Sequence, residues 1–118
     1  MPMSFVDFEK VKVNSGGDQE LLLELIKIGL ERINDSLSEM ETQVTGQDWD
    51  GLSKTIHKLR PILCYAGIEA LNEELIGLEM DARNKTEIAV IPARIGKITG
   101  DLHLARCELE HLLSELQK

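Results

Sequence analysis

Aromatic residues are almost missing from this chain, with Trp49, Tyr65, Phe5 and Phe8 the only four in 118 positions. Sandwiches and barrels fill their pleated faces with aromatic and β-branched side chains, so this scarcity argues against them. Leu, Ile, Glu and Lys dominate instead, which points to packed helices. Cysteine is limited to Cys64 and Cys107, which match neither a CxxC nor a zinc-finger spacing and are too few for a disulfide scaffold. Reduced thiols and a cytoplasmic location are the expectation. Positive charge is also in deficit: 13 Lys and Arg against 21 Asp and Glu leave a net charge of -8. Such a field disfavours nucleic acid and anionic membrane, and an anionic partner would have to meet a local basic patch. No apolar run approaches the roughly 20 residues of a membrane span. The opening MPMSFVDFEK has neither the basic start nor the apolar stretch of a signal peptide. No membrane insertion is expected, and no kinase or ATP-binding motif is present.

What the sequence does have is helical periodicity. Its length fits one domain, 1–118, able to bury roughly two-thirds of its unfolded surface. Ser4 followed by Asp7 resembles a capping box, with Phe5, Phe8 and Val11 as the apolar side of a short first helix that Asn14-Ser15-Gly16-Gly17 ends. From Asp18 to about Thr45, the residues Leu22, Ile26, Gly29, Ile33, Leu37, Met40 and Val44 recur at steps of three and four. Leu21, Leu23, Leu25, Ile28 and Leu30 widen the first half of this stripe, where the short helix is expected to pack.

Asp48 is a good N-cap for a helix with the stripe Trp49, Leu52, Ile56, Leu59, Leu63 and Ala66, and Gly67 reads as its stop or as a site of close approach. A fourth stripe, Ile68, Leu71, Leu75, Leu78 and Ala82, ends at Arg83-Asn84-Lys85, after which Thr86 offers a cap. The last stripe runs Ile88, Ile91, Ile95, Ile98, Leu102, Ala105, Leu109, Leu112 and Leu116, with Pro92 marking a kink or the start of its regular part. Four long stripes joined by short loops predict an all-α fold, an antiparallel up-down-up-down four-helix bundle with a short extra N-terminal helix.

The stretch TIHKLRPILCYAG, Thr55 to Gly67, carries the chemistry. His57 points about 130° away from the core stripe of its helix and is expected in solvent. Lys54 and Lys58 flank it, and Arg60 lies one turn along at i+3, which makes a basic patch on an acidic protein. Pro61 removes the N–H that would have bonded the His57 carbonyl. A helix-interior proline costs roughly 3 kcal/mol, so a use for the altered shape or the freed carbonyl is expected.

His57-Lys58-Leu59-Arg60, with Gly67 ten residues after the histidine, resembles the H-x-L-K/R…G signature of histidine-containing phosphotransfer (HPt) domains, the shuttles of multistep two-component phosphorelays. QDWDGLSKTIHKLR looks like the helix start before that family's histidine, and GIEALNEELIGLEMDARN like its following helix. GGDQELLLELIKIGLERIN is similar to its preceding long helix, so the resemblance covers essentially the whole chain. The family commonly has glycine where Pro61 stands.

The resemblance implies that His57 accepts a phosphoryl group from a receiver-domain aspartyl phosphate and passes it to another receiver. Arg60 would stabilise the phosphoryl group, with Lys54, Lys58, Pro61 and Gly67 in support. A neutral imidazole, with a reference pKa of about 6.5, attacks without a separate base. No intrinsic cofactor is implied, and Mg²⁺ would come with the receiver. Implied partners are response-regulator receivers and a hybrid sensor histidine kinase, the chain itself being a monomer that relays phosphate rather than an autonomous kinase. A non-catalytic helical adaptor is the alternative of a different class.

Elsewhere, His103, Cys107 and His111 follow one another at i, i+4 and i+8. The outer two are about 12 Å apart along a helix, too far to share one ion comfortably, and a solvated face is the expectation. Cys64 reads as a partly buried small hydrophobe, and Trp49 and Tyr65 as packing and helix-end residues. The final stripe alone would suit a coiled-coil dimer, but the three other stripes favour a bundle seam.

Overall fold

The side chains of Asp18 and Asp48 start the long helix before the histidine motif and the helix that carries it. In the computed structural model, which describes residues 4–118, Asp18 accepts hydrogen bonds from the amides of Glu20 and Leu21, and Asp48 from that of Gly51. Each satisfies amides that a helix start leaves without partners. The chain forms α1 (Phe8–Asn14), α2 (Gln19–Thr45), α3 (Trp49–Tyr65), α4 (Asn72–Asn84), a 3-10 turn (Ile88–Val90) and α5 (Ile91–Leu116). Among the described residues there is no strand. Residues 1–3 of the expected domain and of the signal-peptide reading lie outside the described residues.

The four long helices pack in a ring, α2 on α3, α3 on α4, α4 on α5 and α5 back on α2, while α1 lies across α2 and α3. Leu22, Ile26, Ile33, Leu37 and Met40 meet Leu52, Ile56, Leu59 and Leu63, and the ring closes with Leu75, Leu78, Ala82, Ile91, Ile95, Ile98, Leu102, Ala105 and Leu109. All of these are buried, so the expected stripes are the core seam; Val44, Trp49, Leu112 and Leu116 sit half-buried at its ends. Gly29 lets α2 come close: a Cβ there would lie 3.0 Å from the Cβ of Ala66 and 3.3 Å from Leu109. No helix among the described residues is long and apolar enough to cross a membrane.

α3 ends in a Schellman motif, in which the Ile68 amide donates to the Leu63 carbonyl at 2.7 Å and the Gly67 amide to that of Cys64 at 3.1 Å. Gly67 takes φ +80°, and its carbonyl accepts from the Asp7 amide at 2.8 Å, tying the start of α1 to the end of α3.

Several local expectations are corrected. The cap of α1 is Asp7, bonded to the Lys10 amide, and not Ser4. Ser4, Phe5 and Val6 form a non-helical strap instead, whose Ser4 hydroxyl and Phe5 and Val6 amides all donate to the Glu108 carboxylate on α5. Thr86 caps no helix; its hydroxyl turns back to Asp81 at 2.7 Å. Ile88 falls in the 3-10 turn and is 40% exposed, because Pro92 at the first turn of α5 begins that helix rather than bending it. Leu21 and Ile28 remain exposed, so α1 covers only part of the widened α2 stripe.

Candidate functional site

The buried faces of α3 and α4 decide which side chains meet in the seam between them. On α3, Ile56 and Leu59 are fully buried, and one residue's rotation from Ile56 brings His57 to the rim with its side chain 71% exposed. On α4, Leu75, Leu78 and Ala82 face inward, and Glu79, one turn beyond Leu75, faces inward with them, its side chain only 5% exposed. A buried carboxylate is costly unless it is paired. Three partners satisfy this one. Arg60 Nη1 donates to Oε1 at 2.8 Å, Arg83 Nη2 to Oε2 at 2.7 Å, and His57 Nδ1 lies 3.0 Å from Oε2.

Burial pushes the Glu79 carboxyl upward, but the hydrogen bonds from Arg60 and His57, and the charge of each, outweigh it and hold the group below the ordinary carboxylate value. Glu79 is therefore ionised at neutral pH and can only accept. That fixes Nδ1 of His57 as the protonated nitrogen and leaves the lone pair on Nε2.

The expected residues fall into two groups. Lys54 and Lys58 are exposed and line, with Ser53, His57, Glu79 and Arg83, a recess of about 380 Å³. Arg60 joins the same cluster, but through Glu79: it is 26% exposed and also donates from Nε to Asn72 Oδ1 at 3.3 Å. Pro61 is exposed on α3, and the helix runs through it unbroken to Tyr65. Gly67 does mark a close approach, but to α1. A Cβ there would lie 2.6 Å from the Asp7 carbonyl oxygen and from Val11 Cγ2, at a point about 15 Å along the axis from His57.

Sequence reading passed over Glu79 and Arg83. A signal for both was present, since Glu79 occupies a position that helical spacing from Leu75 assigns to the apolar face, and Arg83 follows it at i+4. A charged residue in a core stripe, with a cation one turn on, marks a paired site.

Neither a protein-family model nor a curated protein matches this chain. Among solved structures, the HPt domain from the Hpt sensor hybrid histidine kinase of Shewanella superposes with a TM-score of 0.85 over 97% of each chain, at 19% identity. This chain has the fold of an HPt domain. In this chain the histidine motif lies at the middle of α3, and α4 supplies the carboxylate behind it.

The other line of candidate ligands is elsewhere on the domain. Cys107 and His111 line an apolar groove of about 800 Å³ between α5, the Ser4–Val6 strap and Phe8 at the start of α1, while His103 is exposed and does not line it. No three His, Cys, Asp or Glu among the described residues are placed to hold a metal ion. Cys64 is half-buried and Tyr65, at the helix end, is 58% exposed.

Proposed function

We propose that this HPt-fold protein is a phosphorelay intermediate with His57 as phosphoacceptor. The observation that carries the reading is the exposed imidazole whose Nδ1 is engaged by a buried, ionised Glu79. In the transfer, the Nε2 lone pair attacks the phosphorus of a receiver's aspartyl phosphate. The bond from phosphorus to the aspartyl oxygen breaks, the carboxylate leaves with the electron pair, and the Nδ1 proton stays on the ring facing Glu79. The reverse step delivers the group to a second receiver.

Phosphoryl transfer spreads charge over the equatorial oxygens, so positioning and cationic stabilisation are the main catalytic needs. Lys54 and Lys58 supply general attraction, and Arg60 steadies the ring through Glu79. Gly67 and Pro61 shape α3, Gly67 by anchoring α1 and Pro61 by freeing the His57 carbonyl on the exposed side. The Mg²⁺ that aids the reaction is supplied with the receiver, while Glu79 is committed to His57, Arg60 and Arg83. The partners are response-regulator receivers and a hybrid sensor histidine kinase; the protein acts as a cytoplasmic monomer and relays phosphate without generating it.

The test is incubation with an acetyl phosphate-charged receiver and Mg²⁺, following acid-labile, base-stable phosphate on the wild type and on His57→Gln. Label on the wild type alone is expected. Absence of label on a folded wild type that still binds receiver would make the protein an adaptor.

A further inference from the structure

The two arginines on Glu79 are not equivalent. Arg60 has two anchors, Nη1 on Oε1 and Nε on Asn72, and is largely covered. Arg83 has one, its 2.7 Å bond to Oε2, and its side chain is 59% exposed. Oε2 is also the oxygen that faces His57 Nδ1. If Arg83 leaves, Oε2 keeps the imidazole N–H and Oε1 keeps Arg60, so the buried carboxylate is never unpaired. If Arg60 leaves, Oε1 loses its partner.

We propose that Arg83 is the side chain that grips the phosphoryl group on His57, swinging from Glu79 to do so while Arg60 stays behind as a positioning residue. The proposal rests on the phosphoacceptor reading given above. Before transfer, the charges of Arg60 and Arg83 together exceed that of Glu79 by one. Transfer adds about two negative charges at Nε2. The least committed cation in the cluster then has a stronger partner within reach, since Arg83 and the imidazole share one oxygen and line one recess. Its planar fork suits two phosphoryl oxygens at once, which the single-point donors Lys54 and Lys58 cannot match. No proton moves: one N–H···O bond to Oε2 is exchanged for bonds to phosphoryl oxygens.

The experiment uses the full chain with an acetyl phosphate-charged receiver and Mg²⁺. It measures how label divides between receiver and HPt protein at equilibrium for the wild type, Arg83→Ala, Arg83→Lys and Arg60→Ala. Thermal melting and the ¹⁵N signature of the His57 tautomer are recorded on the same unphosphorylated samples. Arg83→Ala is expected to hold about tenfold less phosphate, the order of one charged hydrogen bond, with melting and tautomer close to wild type. Arg83→Lys should recover part of the loss. Arg60→Ala should melt lower and lose the fixed tautomer. Equal partition in Arg83→Ala and the wild type overturns the proposal. So does an Arg60→Ala variant that loses as much phosphate while keeping wild-type melting and tautomer. A wild type that takes no label at all removes the phosphoacceptor reading as well, an outcome distinct from labelled wild type with an indifferent Arg83.

Discussion

His57 and Glu79 sit 3.0 Å apart across the seam of α3 and α4, one side chain largely in solvent and the other almost wholly buried. The pair divides the imidazole into two ends, Nδ1 turned to the protein and Nε2 left for a partner.

Glu79→Gln tests that division. A neutral amide can donate as well as accept, so the ring is no longer confined to one tautomer. Nitrogen NMR of the unphosphorylated protein should show a mixture of protonated Nδ1 and Nε2 where the wild type shows Nδ1 alone. Phosphoryl acceptance should slow about tenfold, at the low end of what loss of a ring-orienting partner costs. A variant that keeps the single tautomer would mean that packing, not the carboxylate, sets the ring.

Acid should expose the same carboxylate through stability. Glu79 in the folded protein titrates below its ordinary value of 4.5, because Arg60 and His57 outweigh burial. The unfolded chain therefore takes up a proton first as pH falls below that value, and stability drops as pH goes on down through the folded pKa. Above about pH 4.5 the contribution is fully present. Wild type and Glu79→Gln should accordingly converge in melting temperature as the solution is acidified, and a gap that stays constant with pH would contradict the assignment.

Gly67→Ala strains the other end of α3. The residue holds φ +80°, which a Cβ disfavours, and that Cβ would press on the Asp7 carbonyl and Val11. The expected cost is about 1–3 kcal/mol in chemical denaturation. Hydrogen exchange should quicken first at the Asp7 amide, whose acceptor is the Gly67 carbonyl. Uniform quickening across the bundle, with Asp7 no faster than the rest, would show that the glycine supports the whole fold and not the α1 junction.

The long helices were legible because their signals are local and repeated. Asp18 and Asp48 cap where they stand, the α2 stripe from Leu22 to Met40 is buried throughout, and Pro92 begins α5. What escaped sequence reading depends on partners distant in the chain. Ser4 looks like a cap until Glu108, 104 positions on, takes its hydroxyl. Thr86 looks like a cap until Asp81 does the same. At the site, the exposed direction of His57 and the basic character of its surroundings followed from helical phase. The carboxylate that orders them did not, because pairing between α3 and α4 joins Arg60 to a residue 19 positions away.

The mounting of His57 midway along α3 also bears on timing. The helix is packed through Ile56 and Leu59, and the imidazole already stands in solvent, so among the described residues nothing has to open before a partner can reach it. If His57 is the phosphoacceptor proposed above, the pace of transfer is then set by how often a receiver arrives and how long it lingers, quantities that ionic strength would tune through the surrounding arginines and lysines.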